Sequence, residues 1–131
     1  MATQPILDDA SADPAALAVF DDIRAKRNTD YVNNFWRVLA NDPDLLQTVW
    51  NRLQTVMAPG ALDPLVKEML YVAVSVANGC DYCIHSHTAA AKAKGMTPGQ
   101  HAELLSVIAM ASQTNALAKA LGVPVDDRFT L

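Results

Sequence analysis

The sequence predicts an all-α fold, and three observations carry that prediction. An Asp or Thr followed by Pro recurs ahead of apolar stretches, and the apolar residues between these marks repeat at helical spacing. No segment alternates apolar and polar residues with the period of two that a half-buried strand needs. With 131 residues, 51% of them apolar and 18% charged, the chain suits a single compact domain. Five Gly and seven Pro are too few for a low-complexity chain.

The starts are Asp13-Pro14, Asp42-Pro43, Asp63-Pro64 and Thr97-Pro98. In each, the side-chain oxygen takes an orphan backbone N–H and the fixed φ of Pro suits the first helical position. Thr97 with Gln100 also matches a capping box. Pro59-Gly60, Gly79, Gly95 and Gly122 with Pro124 mark the stops. Leu45, Leu46, Val49, Trp50, Leu53 and Met57 form one apolar stripe, and Leu65, Met69, Val72 and Val76 another. Six or seven helices follow, at about 14–27, 31–40, 43–57, 64–78, 80–94, 98–111 and 113–121, within a helical domain spanning 13–131. Residues 1–12 read as an N-terminal arm, mobile or strapped to a neighbour. Trp36, Trp50, Phe35 and Leu46 read as core or subunit-interface anchors.

Ten Lys and Arg against fourteen Asp and Glu leave a net charge of -4 without a basic cluster, which argues against nucleic acid as a partner. Uninterrupted apolar runs such as 69–74 fall far short of the roughly 20 residues that span a bilayer, so no membrane segment is expected. Asp8, Asp9 and Asp13 stand where an export signal would carry positive charge, and a cytoplasmic location is the expectation. In a reducing compartment two cysteines three residues apart read as reactive or metal-binding more readily than as a structural staple.

Those cysteines lie in Asn78-Gly79-Cys80-Asp81-Tyr82-Cys83-Ile84-His85-Ser86-His87, where one helix ends and the next begins. At about 100° per residue, Cys80, Cys83 and His87 fall within roughly 60° of one another, whereas His85 sits about 140° from Cys80. A helix start favours a thiolate over a thiol, and a neighbouring imidazole can take the thiol proton. A second thiol at i+3 supplies a resolving partner for a sulfenic acid. Glu68 lies beside the apolar stripe of the preceding helix. Two antiparallel helices joined at Gly79 would bring it near His87, completing a proton relay towards a cysteine.

Glu68, eleven intervening residues, Cys80-Asp81-Tyr82-Cys83, three more residues and His87 together resemble the signature of the alkyl hydroperoxidase D-like branch of the carboxymuconolactone decarboxylase family. Phe35-Trp36-Arg37-Val38-Leu39-Ala40-Asn41-Asp42-Pro43 with Leu45-Leu46, and Leu62-Asp63-Pro64 leading to Lys67-Glu68, are similar to that family's lead-in, so the likeness spans about 31–121. The resemblance implies an all-helical homotrimer or homohexamer. It implies a peroxide-attacking thiol at Cys83, a resolving thiol at Cys80, and a relay of His87 and Glu68. Turnover needs no bound cofactor or metal. The substrate it implies is a hydroperoxide, and the reductant a dithiol, either another protein or a lipoyl-type carrier. The best-studied peroxidase members carry His immediately before the second Cys, where this chain has Tyr82. Tyr82 is therefore a possible supporting residue, and the resemblance speaks for thiol redox chemistry more than for an identical substrate or reductant.

Two other functions fit parts of the same segment. Cys80, Cys83, His85 and His87 count to four metal ligands, although His85 points away on a regular helix and zinc ligands usually come as two separated pairs. Glu68 and His87 are also an acid–base pair for a non-redox, decarboxylase-like or lactone-type enzyme. His85 and His101 read as ordinary polar residues, and Asp81 as a charge suited to a helix start.

Overall fold

The computed structural model describes residues 1–130, and among them there are six α-helices and no strand. They are α1 (Pro14–Arg27), α2 (Asn34–Leu39), α3 (Pro43–Met57), α4 (Pro64–Ala77), α5 (Asp81–Ala93) and α6 (Pro98–Leu121), followed by a 3-10 turn at Asp127–Phe129. All four expected caps form. Asp13 accepts from Ala15 N at 2.8 Å, Asp42 from Leu45 N at 3.0 Å and Asp63 from Leu65 N at 2.8 Å. Thr97 and Gln100 exchange bonds of 3.1 and 2.9 Å in a capping box. Each cap replaces water on an otherwise orphan N–H, so these helix starts are set locally.

The helices gather into two compact units, Met1–Ala58 and Pro59 onward, within the single domain that length and composition predicted. The first holds a core of Ala16, Val19, Phe20 and Ile23 from α1, Val32, Trp36 from α2, Ala40, and Leu46 and Trp50 from α3. The two indoles meet edge to face at 5.3 Å, and Trp50 Nε1–H donates to Asp22 at 2.7 Å, so the polar end of a buried ring is satisfied. Trp36, Trp50 and Leu46 are thus core anchors, while Phe35 is exposed. Residues 1–12, expected as an arm, are strapped to α1 and α2. Leu7 N–H donates to the Arg37 carbonyl, Asn41 donates to the Pro5 carbonyl, and Asp9 bridges Arg24 at 2.7 Å and Arg37 at 3.1 Å.

In the second unit α4 and α5 form an antiparallel pair, and α6 packs on α4. The turn between α4 and α5 depends on Gly79, whose φ of +66° lies in the left-handed region. It lets Cys80 N–H reach back to the Ser75 carbonyl at 3.0 Å and close α4. Two expected helices at 98–111 and 113–121 are one continuous helix, α6. The polar run at 112–115 does not break it, because Ser112 and Thr114 fold their hydroxyls onto the carbonyls of Ile108 and Met110 at 2.8 and 3.1 Å. As a result α6 is long and apolar enough to cross a membrane by length and composition, which no uninterrupted apolar run was. None of its residues is buried, and Leu105, Val107, Met110 and Leu117 are exposed. Helix α2 begins later than expected, at Asn34, and is six residues long.

The core of the first unit sets a stability contrast. Leu46→Ala, at a fully buried site, should cost about 2–5 kcal/mol in denaturant unfolding. Its neighbour Leu45, exposed on the same helix, should tolerate Ala within about 0.5 kcal/mol.

Candidate active site

Helix α5 opens on the cysteines. Cys80 is its N-cap, one position before the helix, and its sulfur accepts the Cys83 N–H at 3.3 Å. The two residues are joined as a disulfide, with Cα atoms 5.3 Å apart, and both are half-buried. One turn further on, His87 projects towards α4. Its Nδ1 lies 2.8 Å from Oε2 of Glu68, and the other carboxylate oxygen, Oε1, accepts from Lys94 Nζ at 3.0 Å. The Tyr71 ring stacks on the imidazole with centroids 3.6 Å apart and planes 16° from parallel.

Glu68 is 5% exposed, far less than an unpaired carboxylate tolerates. Burial by itself pushes its pKa up. The hydrogen bonds from His87 and Lys94, together with their charges, outweigh burial and hold the carboxyl below the ordinary glutamate value. An ionised carboxylate only accepts, so His87 donates to Glu68 from Nδ1–H. The segment therefore brings together a bonded cysteine pair at a helix start and an imidazole held through Nδ1–H by a buried carboxylate.

The carboxymuconolactone decarboxylase family matches residues 43–126, a span that includes α3 to α6 and every group just described. The chain belongs to that family. A crystal structure of the alkylhydroperoxidase AhpD core from Rhodospirillum rubrum is 61% identical to it, with a TM-score of 0.96, and the match covers 100% of this chain and 98% of that one. Comparison with curated proteins finds no match. The family fold agrees with the all-helical, alkyl hydroperoxidase D-like architecture expected from the sequence.

Of the residues singled out beforehand, Cys80, Cys83, His87 and Glu68 all lie along the α4–α5 pair. Cys80 is bonded to Cys83, and His87 to Glu68. Tyr82 is exposed in the first turn of α5. His85 points away, its Nδ1–H donating to the Asp81 carbonyl at 2.8 Å. Among the described residues, no three or more His, Cys, Asp and Glu side chains gather as a metal site.

Two members of the site were missed, Tyr71 and Lys94. The signal was spacing: Tyr71 is three residues after Glu68 and Lys94 seven after His87, each on the same helical face as its partner.

The depressed carboxyl sets a pH signature. A folded-state pKa below the unfolded one contributes stability that is complete above the unfolded value and lost as pH falls through the folded one. The stability difference between the wild type and Glu68→Gln should therefore narrow as pH falls through and below the ordinary glutamate range in denaturant titrations, and a gap that widens on acidification would contradict the buried ion pair.

Proposed function

We propose that the chain is a thiol-dependent peroxidase, reducing a hydroperoxide at Cys83 and closing a disulfide with Cys80. The observation that carries this reading is the Glu68–His87 hydrogen bond behind a cysteine pair at a helix start, in a chain 61% identical to a protein named as an alkylhydroperoxidase core. His87 Nε2 takes the Cys83 thiol proton. The thiolate attacks the outer peroxide oxygen, the O–O bond breaks, and the alcohol leaves with a proton, so that Cys83 becomes a sulfenic acid. Cys80, capping α5 with its sulfur, is held where the helix end favours its thiolate. It attacks the sulfenic sulfur and water departs, leaving the Cys80–Cys83 disulfide. A dithiol donor of two electrons and two protons, a protein or a lipoyl-type carrier, returns both thiols. Glu68 keeps the imidazole in the productive tautomer, and no bound cofactor or metal enters any step.

A redox cycle that consumes a dithiol suits the cytoplasm, where such donors are kept reduced. The exposed apolar residues of α4 and α6, including Leu70, Val74, Val107 and Met110, support assembly into a homotrimer or homohexamer. That assembly also accounts for the apolar length of α6 without a membrane.

Reduced protein treated with hydrogen peroxide or an organic hydroperoxide should lose about two mass units as one intramolecular disulfide forms. Cys83→Ser should abolish the reaction, and Glu68→Gln and His87→Gln should slow thiol loss by about a hundredfold. Equal rates in wild type and both relay variants would remove the relay. Turnover retained in Cys83→Ser would favour the acid–base alternative instead. Light scattering at micromolar concentration should return three or six copies, and a monomer would count against the assembly.

A further inference from the structure

Resting on the thiol-peroxidase reading above, we propose that Lys94 is a positioning residue for the reaction. Its ammonium neutralises Glu68 from the side away from His87, so that the imidazole stays uncharged, with its proton on Nδ1 and the Nε2 lone pair free. The argument starts from charge balance. The Glu68 side chain is 6% exposed and carries a full negative charge that the site must compensate. Its two oxygens are divided between two partners, Oε2 with His87 and Oε1 with Lys94. If Lys94 supplies the positive charge, His87 need supply only a hydrogen bond. If Lys94 were absent, a doubly protonated His87 would supply the compensating charge, and its Nε2 would be filled and useless as a base.

The placement of Lys94 is built in. It is the C-cap of α5, its backbone N–H bonded to the carbonyls of Ala90 and Ala91, and Gly95 follows at φ +97° to turn the chain away. A cation there also suits the negative end of the helix dipole. The side chain is 41% exposed, so as a mere surface ion pair it would add little stability. The titratable groups around Glu68 are His87 and Lys94 from α5 and its cap, with Tyr71 on α4 stacked against His87. From α6, the other helix packed on α4, His101, Glu103 and Lys119 make no hydrogen bond or ion pair with Glu68 or His87 among the described residues.

The test is ring-nitrogen NMR of His87 in reduced, isotope-labelled protein at neutral pH, with peroxide-driven thiol loss measured on the same samples. Wild type and Lys94→Arg should show one protonated and one bare ring nitrogen, whereas Lys94→Met should show a growing share with both protonated. Thiol loss should fall about tenfold in Lys94→Met and recover to within about threefold in Lys94→Arg. In a Glu68→Gln background, Lys94→Met should leave the His87 spectrum unchanged, because the charge to be compensated is gone. A bare Nε2 that persists in Lys94→Met, or Arg and Met variants that behave alike, would overturn the proposal. Failure of the peroxidase reading looks different: the wild type would keep its thiols in peroxide while the His87 spectrum still followed the residue at position 94.

Discussion

A carboxylate drawn out of water must find positive charge and hydrogen-bond donors, and the α4–α5 pair is organised around that requirement. Glu68 meets it twice over, with Lys94 on one oxygen and His87 on the other. Both contacts, His87 first, keep the carboxyl ionised against the effect of burial, and the His87 bond holds the imidazole through its Nδ1–H. The registry of α4 against α5 follows from the same bonds, because all three groups must meet across one helix pair. Gly79 makes that pairing possible by reversing the chain one residue before Cys80.

The two units bury apolar surface differently. The first encloses Phe20, Ile23, Leu46 and two edge-to-face indoles, and its arginines and Asp9 secure the N-terminal residues over α1 and α2. In the second, the buried side chains are few, and one of them is the carboxylate itself. Much of its apolar surface on α4 and α6 faces outward. These exposed apolar residues are the surface that the proposed assembly would cover. A reading of periodicity alone treats core and interface residues alike, since both sit on a helix face at the same spacing.

The polar segment at 112–115 illustrates a second limit of pattern. Ser, Gln, Thr and Asn read as a break when a helix is judged by propensity. Within a chain already helical on both sides, the same hydroxyls return to backbone carbonyls one turn back, and the helix runs through. Joining the halves turned two modest segments into one long apolar helix, a property invisible while they were counted apart. At the N-terminus pattern offered an arm without its contacts. Asp9 is the point on which Arg24 and Arg37, fifteen and twenty-eight residues on, converge.

By itself the sequence determined the helix starts, the glycine reversals, the order of Glu, Cys, Cys and His, and through them the family. These are local features: a cap bonds within three residues, and a helical face repeats by turns. What tertiary structure alone decided was the company each group keeps. Nothing local distinguishes Glu68 from a solvated surface carboxylate, or sets Tyr71 against the imidazole and Lys94 against the carboxylate, because those contacts join residues from opposite sides of the Gly79 turn. Protonation depends on such company more than on residue type. The chemistry of the site was therefore legible as a set of candidates in the chain, and became an arrangement only when α5 packed on α4.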